Sequence, residues 1–170
     1  MNVLIMSDSH GFTDELEEIT ARHKDEVAAV IHCGDSELQA DDPGIRSMWI
    51  VGGNCDFDGR LPDELVKEAG PYRFLIAHGH LHSVKSTLNN LKYKAQEAGA
   101  SIVCFGHTHI AGSEMNGNIL FINPGSVRLP RVRPERSYAI ITLDGKQADV
   151  LFYDFSGNPI KELEKTYTFA

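Results

Sequence analysis

The stretch Val3-Leu4-Ile5-Met6-Ser7-Asp8-Ser9-His10-Gly11 joins a short unbroken apolar run to a polar cluster that ends in glycine. An apolar run of this length, cut off at once by turn-forming residues, reads as a strand buried on both faces. Its polar residues then occupy the loop at the strand's carboxyl end. The same pattern recurs along the chain. Val27 to Ile31 leads into His32-Cys33-Gly34-Asp35, and Met48 to Val51 into Gly52-Gly53-Asn54-Cys55-Asp56. Arg73 to Ala77 leads into His78-Gly79-His80, and Ser101 to Phe105 into Gly106-His107-Thr108-His109.

Between these strands the spacing predicts helices. Thr13 to His23, with Phe12 just before it, carries Leu16, Ile19 and Thr20 at helical intervals, with acidic residues in its first turn. Pro62 opens a second helical pattern with Leu65, Val66 and Ala69, stopped by Gly70. Ser83 caps a longer one through Val84, Leu88, Leu91 and Ala95 to Gly99. Strands follow at Ile119 to Ile122, Tyr138 to Leu143 and Ala148 to Phe155, the last two flanking the hairpin signal Asp144-Gly145. The tail from Ile160 has mixed periodicity and receives no assignment. Alternating strands and helices with a β-rich second half predict one α/β domain over residues 1–170. Its site is expected where parallel strands end.

The chain has 170 residues, 42% of them hydrophobic and 24% charged, with a formal charge of −8. That is a globular composition. Net acidity disfavours nucleic acid and anionic membrane as partners, while leaving nucleotides open as small ligands and self-association open as well. No segment is long and apolar enough to span a membrane, and the N-terminus lacks a basic leader with an apolar stretch. Cys33, Cys55 and Cys104 form neither a paired framework nor a zinc ribbon. A reducing compartment, the cytoplasm, is expected.

Six of the eight histidines lie at the five strand ends, together with Asp8 and Asp35. One His-x-His is weak as a signal; five strands converging on the same chemistry are not. Imidazole with carboxylate suits Mn, Fe, Co, Ni or Zn better than Mg. There are too many donors for one tetrahedral ion, so two ions about 3.5–4 Å apart are expected, sharing a carboxylate and a water. Such a pair hydrolyses phosphate esters by attack of the shared water, without a covalent enzyme intermediate.

The motifs Asp8-x-His10, Gly34-Asp35, Gly53-Asn54-x-Asp56, His78-Gly79-His80 and Gly106-His107-Thr108-His109 resemble those of the calcineurin-like metallophosphoesterases. The small bacterial and archaeal phosphodiesterase branch is the nearest in pattern. The resemblance covers Met1 to about Tyr153. It implies an α/β/β/α sandwich of two mixed β-sheets flanked by helices, two divalent ions with manganese foremost, and a small phosphate ester, a diester above all, as substrate. Carried over motif by motif, one ion would be held by Asp8, His10, Asp35 and His109. The other would be held by Asp35, Asn54, His78 and His107, with Asp35 bridging. His80 would stand beside the metals or face the substrate only if its backbone is extended. His32 is expected to be structural, His82 less relevant, and His23 a solvated residue at a helix end. Asn123-Pro124-Gly125-Ser126, with Arg128 or Arg131, reads equally as a phosphate loop or as a tight turn.

Much of the superfamily carries histidine where this chain has Cys55, and that histidine is thought to protonate the leaving group. A thiol cannot offer a cationic imidazolium, so esters with good leaving groups are expected to be favoured. Asp56 could orient the loop or relay a proton. The family also includes the small subunit of retromer, a metallophosphoesterase-like fold that chiefly binds partners. A metal-binding interaction scaffold with little or no catalysis is therefore the competing expectation.

Overall fold

The computed structural model describes residues 1–170. Two mixed β-sheets pack face to face, and helices cover their outer sides. The first sheet contains β1 (Asn2–Met6), β2 (Ala29–His32), β3 (Trp49–Ile50), β9 (Ser137–Asp144), β10 (Gln147–Asp154) and β11 (Lys165–Thr168). Its spatial order is β11-β10-β9-β1-β2-β3. The second contains β4 (Glu64–Ala69), β5 (Tyr72–Ala77), β6 (Ile102–Cys104), β7 (Gly112–Asn116) and β8 (Ile119–Asn123) in the order β4-β5-β6-β8-β7. Strands β1, β2 and β3 run parallel, as do β5, β6 and β8, while the remaining pairs are antiparallel.

The period-2 alternation of side chains builds the layers. Val3 and Ile5 of β1 meet Phe74, Ile76, Ile102, Cys104, Leu120 and Ile122 in the core between the sheets. Leu4 and Met6, pointing the other way, pack with Leu16 and Ile19 of α1 (Asp14–His23). In the second sheet Leu75, Val103 and Phe121 turn outward onto Leu91 and Ala95 of α2 (Asn89–Ala98). Apolar runs buried on both faces are what this sandwich requires, and the α/β/β/α expectation is met.

Three local expectations need correction, and one segment left open receives its assignment. Residues 64–69 form strand β4 rather than a helix, pairing antiparallel with β5. Leu65, Val66 and Ala69 satisfy the helical interval by coincidence, and Gly70, at φ 58°, opens a hairpin turn instead of closing a helix. The helix expected from Ser83 starts only at Asn89, because Ser83 is left-handed (φ 55°) and follows a 3-10 turn at His80–His82. His23 is buried rather than solvated: Nε2 lies 2.8 Å from the Tyr138 hydroxyl and Nδ1 contacts Glu26. The unassigned tail becomes β11, and its Phe169 enters the inter-sheet core. From β11, Lys165 Nζ donates to the Ser113 carbonyl and the Tyr167 hydroxyl pairs with Ser113 Oγ, so this edge strand also ties the two sheets together.

Candidate metal centre

The carboxyl ends of β1, β2 and β3 from one sheet face those of β5 and β6 from the other, and the polar loops converge there. Asp8 and His10 follow β1, Asp35 follows β2, and Asn54 to Asp56 follow β3. His78 and His80 follow β5; His107 and His109 follow β6. Asp8, Asp35, His78 and His109 are buried.

Ligand-type atoms gather in overlapping groups, Asp8–His10–His109 and Asp8–Asp35–His78, each within 4.8 Å. Asp8 Oδ1 lies 3.0 Å from His109 Nε2, 3.8 Å from His10 Nε2 and 3.9 Å from His78 Nε2. Asp35 Oδ2 lies 3.2 Å from His78 Nε2 and 4.0 Å from His10 Nε2. Asn54 Oδ1 stands 3.1 Å from His78 Nε2, and the ring nitrogens of His10 and His109 face each other at 3.4 Å. The His107 ring packs 5.1 Å from that of His78, outside the tight groups. The backbone of His80 turns at Gly79 (φ 109°) instead of staying extended, yet its ring still reaches 5.3 Å from His78 and 6.2 Å from His107.

The surroundings fix which ring nitrogens are free. His78 Nδ1 donates to the Cys33 carbonyl at 2.8 Å and His109 Nδ1 to the Leu129 carbonyl at 2.7 Å. A carbonyl can only accept, so each Nδ1 carries a proton and each Nε2 faces inward, where it would be the atom offered to a cation. Asp8 Oδ2 is satisfied by Ser7 Oγ at 2.6 Å and the His107 amide at 3.1 Å. Asp8 Oδ1 is buried with no donor in hydrogen-bonding geometry, even though His109 Nε2 is near. A buried, unmatched carboxylate oxygen amid inward-facing imidazoles fits a divalent cation, since an unpaired charge there is costly.

Electrostatics agree. Burial would raise Asp35, but the hydrogen bond and charge of His78, with the Cys55 amide, hold it well below the usual carboxylate range. Burial works against a proton on His78, and the Asp35 and Asp8 carboxylates outweigh it, so His78 is raised; Asp8 raises His109. Burial, His78 and Lys85 push His107 down to about 4, and burial with His78 lowers His80. Partial burial and the Asp35 carboxylate push the Cys55 thiol up to about 11, so in the metal-free chain it is a neutral thiol.

The loops are held in unusual conformations. Asp8, His10, Asp35, His107 and His109 all have φ between 42° and 67°. Left-handed backbone costs a non-glycine residue roughly 1 kcal/mol or more. Close approach requires glycine nearby: a Cβ on Gly53 would sit 2.1 Å from Asp35 Oδ1, and one on Gly106 would sit 2.5 Å from Asp8 Oδ2. Asp56 binds backbone. Its Oδ2 accepts the Asp35 and Gly53 amides and its Oδ1 the Glu37 amide, each at 2.7 Å. It positions the Asp35 loop.

Three further residues carry the site without having been singled out by sequence. Ser7 holds Asp8, and Glu37 Oε1 approaches His10 Nδ1 at 3.4 Å. Asp58 accepts the Ala40 amide at 2.7 Å. The alternation Asp56-x-Asp58 was their one visible signal. In the Asn123–Ser126 loop the side chains form an internally bonded turn, and the Arg128 guanidinium contacts the His10 carbonyl and lies over Phe12. Ser126 Oγ donates to the Asp8 carbonyl and accepts the Arg128 and Leu129 amides, and the Gly125 amide is taken by Asn123 Oδ1. His32 is buried between Ser9 and the Gly34 amide, as a structural residue would be.

The profile of the calcineurin-like phosphoesterase superfamily domain matches residues 1–146. The probable metallophosphoesterase YsnB of Bacillus subtilis (strain 168) is 54% identical over 168 residues, covering 99% of both chains. Phosphodiesterase MJ0936 of Methanocaldococcus jannaschii is 28% identical over 146 residues, covering 74% of this chain and 83% of its own. A crystal structure of a predicted phosphoesterase from Streptococcus pneumoniae TIGR4 superposes with a TM-score of 0.94 at 37% identity, over 98% of this chain and 97% of that one.

Proposed function

The chain belongs to the calcineurin-like phosphoesterase superfamily, and on that premise we propose that it is a dinuclear-metal phosphoesterase acting on small phosphodiesters. One observation carries the reading: Asp8 Oδ1 and Asp35 Oδ2 stand between inward-facing imidazoles, with Asp8 Oδ1 lacking any donor. Two divalent ions bound there would activate water and neutralise charge on the phosphoryl oxygens. Asp8, His10, Asp35 and His109 would hold one ion; Asp35, Asn54, His78 and His107 the other.

The remaining work falls to the chain. The carbonyls of Cys33 and Leu129 keep His78 and His109 in the ligating tautomer. Asp56 fixes the Asp35 loop. Cys55, its Sγ grouped within 4.8 Å of His10 and Asp35, occupies the leaving-group side without supplying an acid. His80, its ring 5.3 Å from that of His78, is assigned to a non-bridging substrate oxygen. The mixed imidazole and carboxylate donors make manganese the first metal to test. Three unpaired cysteines support a reducing, cytoplasmic setting. The name of the archaeal relative supports diesters over monoesters.

The test is a substrate panel run with Mn, Fe, Co, Ni and Zn. It contains bis(4-nitrophenyl) phosphate, cyclic dinucleotides, 2′,3′-cyclic nucleotides, phosphoglycerol diesters and simple monoesters. Manganese-stimulated hydrolysis, faster on diesters, is expected. Bound metal with no hydrolysis of any ester would establish the interaction scaffold instead.

A further inference from the structure

Beyond Cys55 the site opens into a cavity of about 340 Å³ lined by Glu37, Leu38, Gln39, Cys55 and Phe57. Its connection to the metal centre is direct, because Cys55 Sγ belongs to the same tight group as His10 and Asp35. Phe57 is 94% exposed. An exposed aromatic residue alone means little. Here its backbone is fixed on both sides. Asp56 accepts the Glu37 amide and Asp58 the Ala40 amide, so the two carboxylates flanking Phe57 stitch its loop to the opposite wall of the cavity. Arg60 adds a third tie, binding Asp58 and Asp41. These ties fix the backbone on either side of the exposed ring.

We propose that this cavity is the leaving-group subsite and takes a flat, uncharged ring of the nucleobase or aryl class, stacked on Phe57; this rests on the phosphoesterase reading. Leu38 and Cys55 offer the apolar floor. The carboxylates of Glu37, Asp56 and Asp58 disfavour a second phosphate or another anion, and Glu37 and Gln39 can accept hydrogen bonds from ring amines. The small Cys55 side chain on the cavity wall leaves room for an aromatic group to lie close.

The test separates stacking from leaving-group acidity. Two diesters are compared, one with an aryl leaving group and one with a fluorinated alkyl leaving group of matched acidity. Phe57→Ala should lower kcat/KM on the aryl ester roughly tenfold more than on the fluoroalkyl ester, and Phe57→Tyr should restore it. A second measurement does not depend on turnover: adenosine binding to the metal-free chain by saturation-transfer NMR, expected for wild type and lost in Phe57→Ala. Equal kinetic effects on both esters, with adenosine binding untouched by Phe57→Ala, would overturn the subsite. Adenosine bound through Phe57 by a chain that hydrolyses no ester would leave the ring pocket standing but overturn its role as a leaving-group subsite, together with the phosphoesterase reading. Unchanged unfolding temperatures confirm that the variants fold.

Discussion

At the scale of residues, His32 shows how a histidine beside a metal centre can serve structure alone. The Gly34 amide donates to its Nδ1 at 3.2 Å, so Nε2 carries the proton and donates to Ser9 Oγ at 2.8 Å. Burial pushes the imidazole down to about 4, against the pull of the Asp8, Asp56 and Asp35 carboxylates. The unfolded chain takes up this proton near pH 6.5 and the folded chain only near 4, so acid favours unfolding through this window. Wild type, with chelator present, should lose about 2 kcal/mol more stability than His32→Asn between about pH 7 and about pH 5. Urea unfolding at the two pH values measures it, and parallel losses in both proteins would count against the assignment. Residue types at strand ends were legible in the sequence; tautomers and partners were not. His32 and His78 look alike in the sequence, and only the Gly34 amide on one and the Cys33 carbonyl on the other tell them apart.

At the scale of elements, continuous apolar runs were the readable part. Val3–Met6 and Ser101–Phe105 have no alternative but burial on both faces. Short or half-exposed segments were not readable. Leu65, Val66 and Ala69 fit two periodicities, and pairing with β5 decided between them. Strand β7 went unnoticed because Gly112-Ser113-Glu114-Met115-Asn116 has almost no strand signature; it exists because β8 offers an edge. Strand β11 likewise depends on β10 and on Phe169 filling the core. Deleting residues 165–170 should therefore cost roughly 3 kcal/mol or more, on the scale of losing a buried phenylalanine. Manganese affinity should stay within about twofold, because β11 lies at the far edge of its sheet from β1, β2 and β3. Denaturant unfolding and calorimetric titration measure the two halves. A large loss of affinity would show that β11 reaches the centre through the sheet.

For the whole molecule, the candidate centre is a joint between two sheets. Asp8, His10, Asp35 and Asn54 come from one, and His78, His107 and His109 from the other. A cation held there would cross-link the two sheets of the sandwich. At a thousandfold excess over its dissociation constant, manganese should stabilise the fold by about 4 kcal/mol, which in a chain of this size is on the order of 10 °C in unfolding temperature. Scanning calorimetry with manganese, and again after EDTA, reads the shift; its absence would contradict a shared inter-sheet site. The five left-handed residues at this joint have a consequence for the history of the sequence. Glycine at any of them would relieve backbone strain, but at Asp8 and Asp35 it would also strip partners from Ser7 Oγ and from the His107 and Cys55 amides. Relief from strain therefore comes free of lost backbone partners only at His10 and His107, and these are the two positions at which a chain freed from the chemistry would drift first, whereas this chain keeps all five side chains.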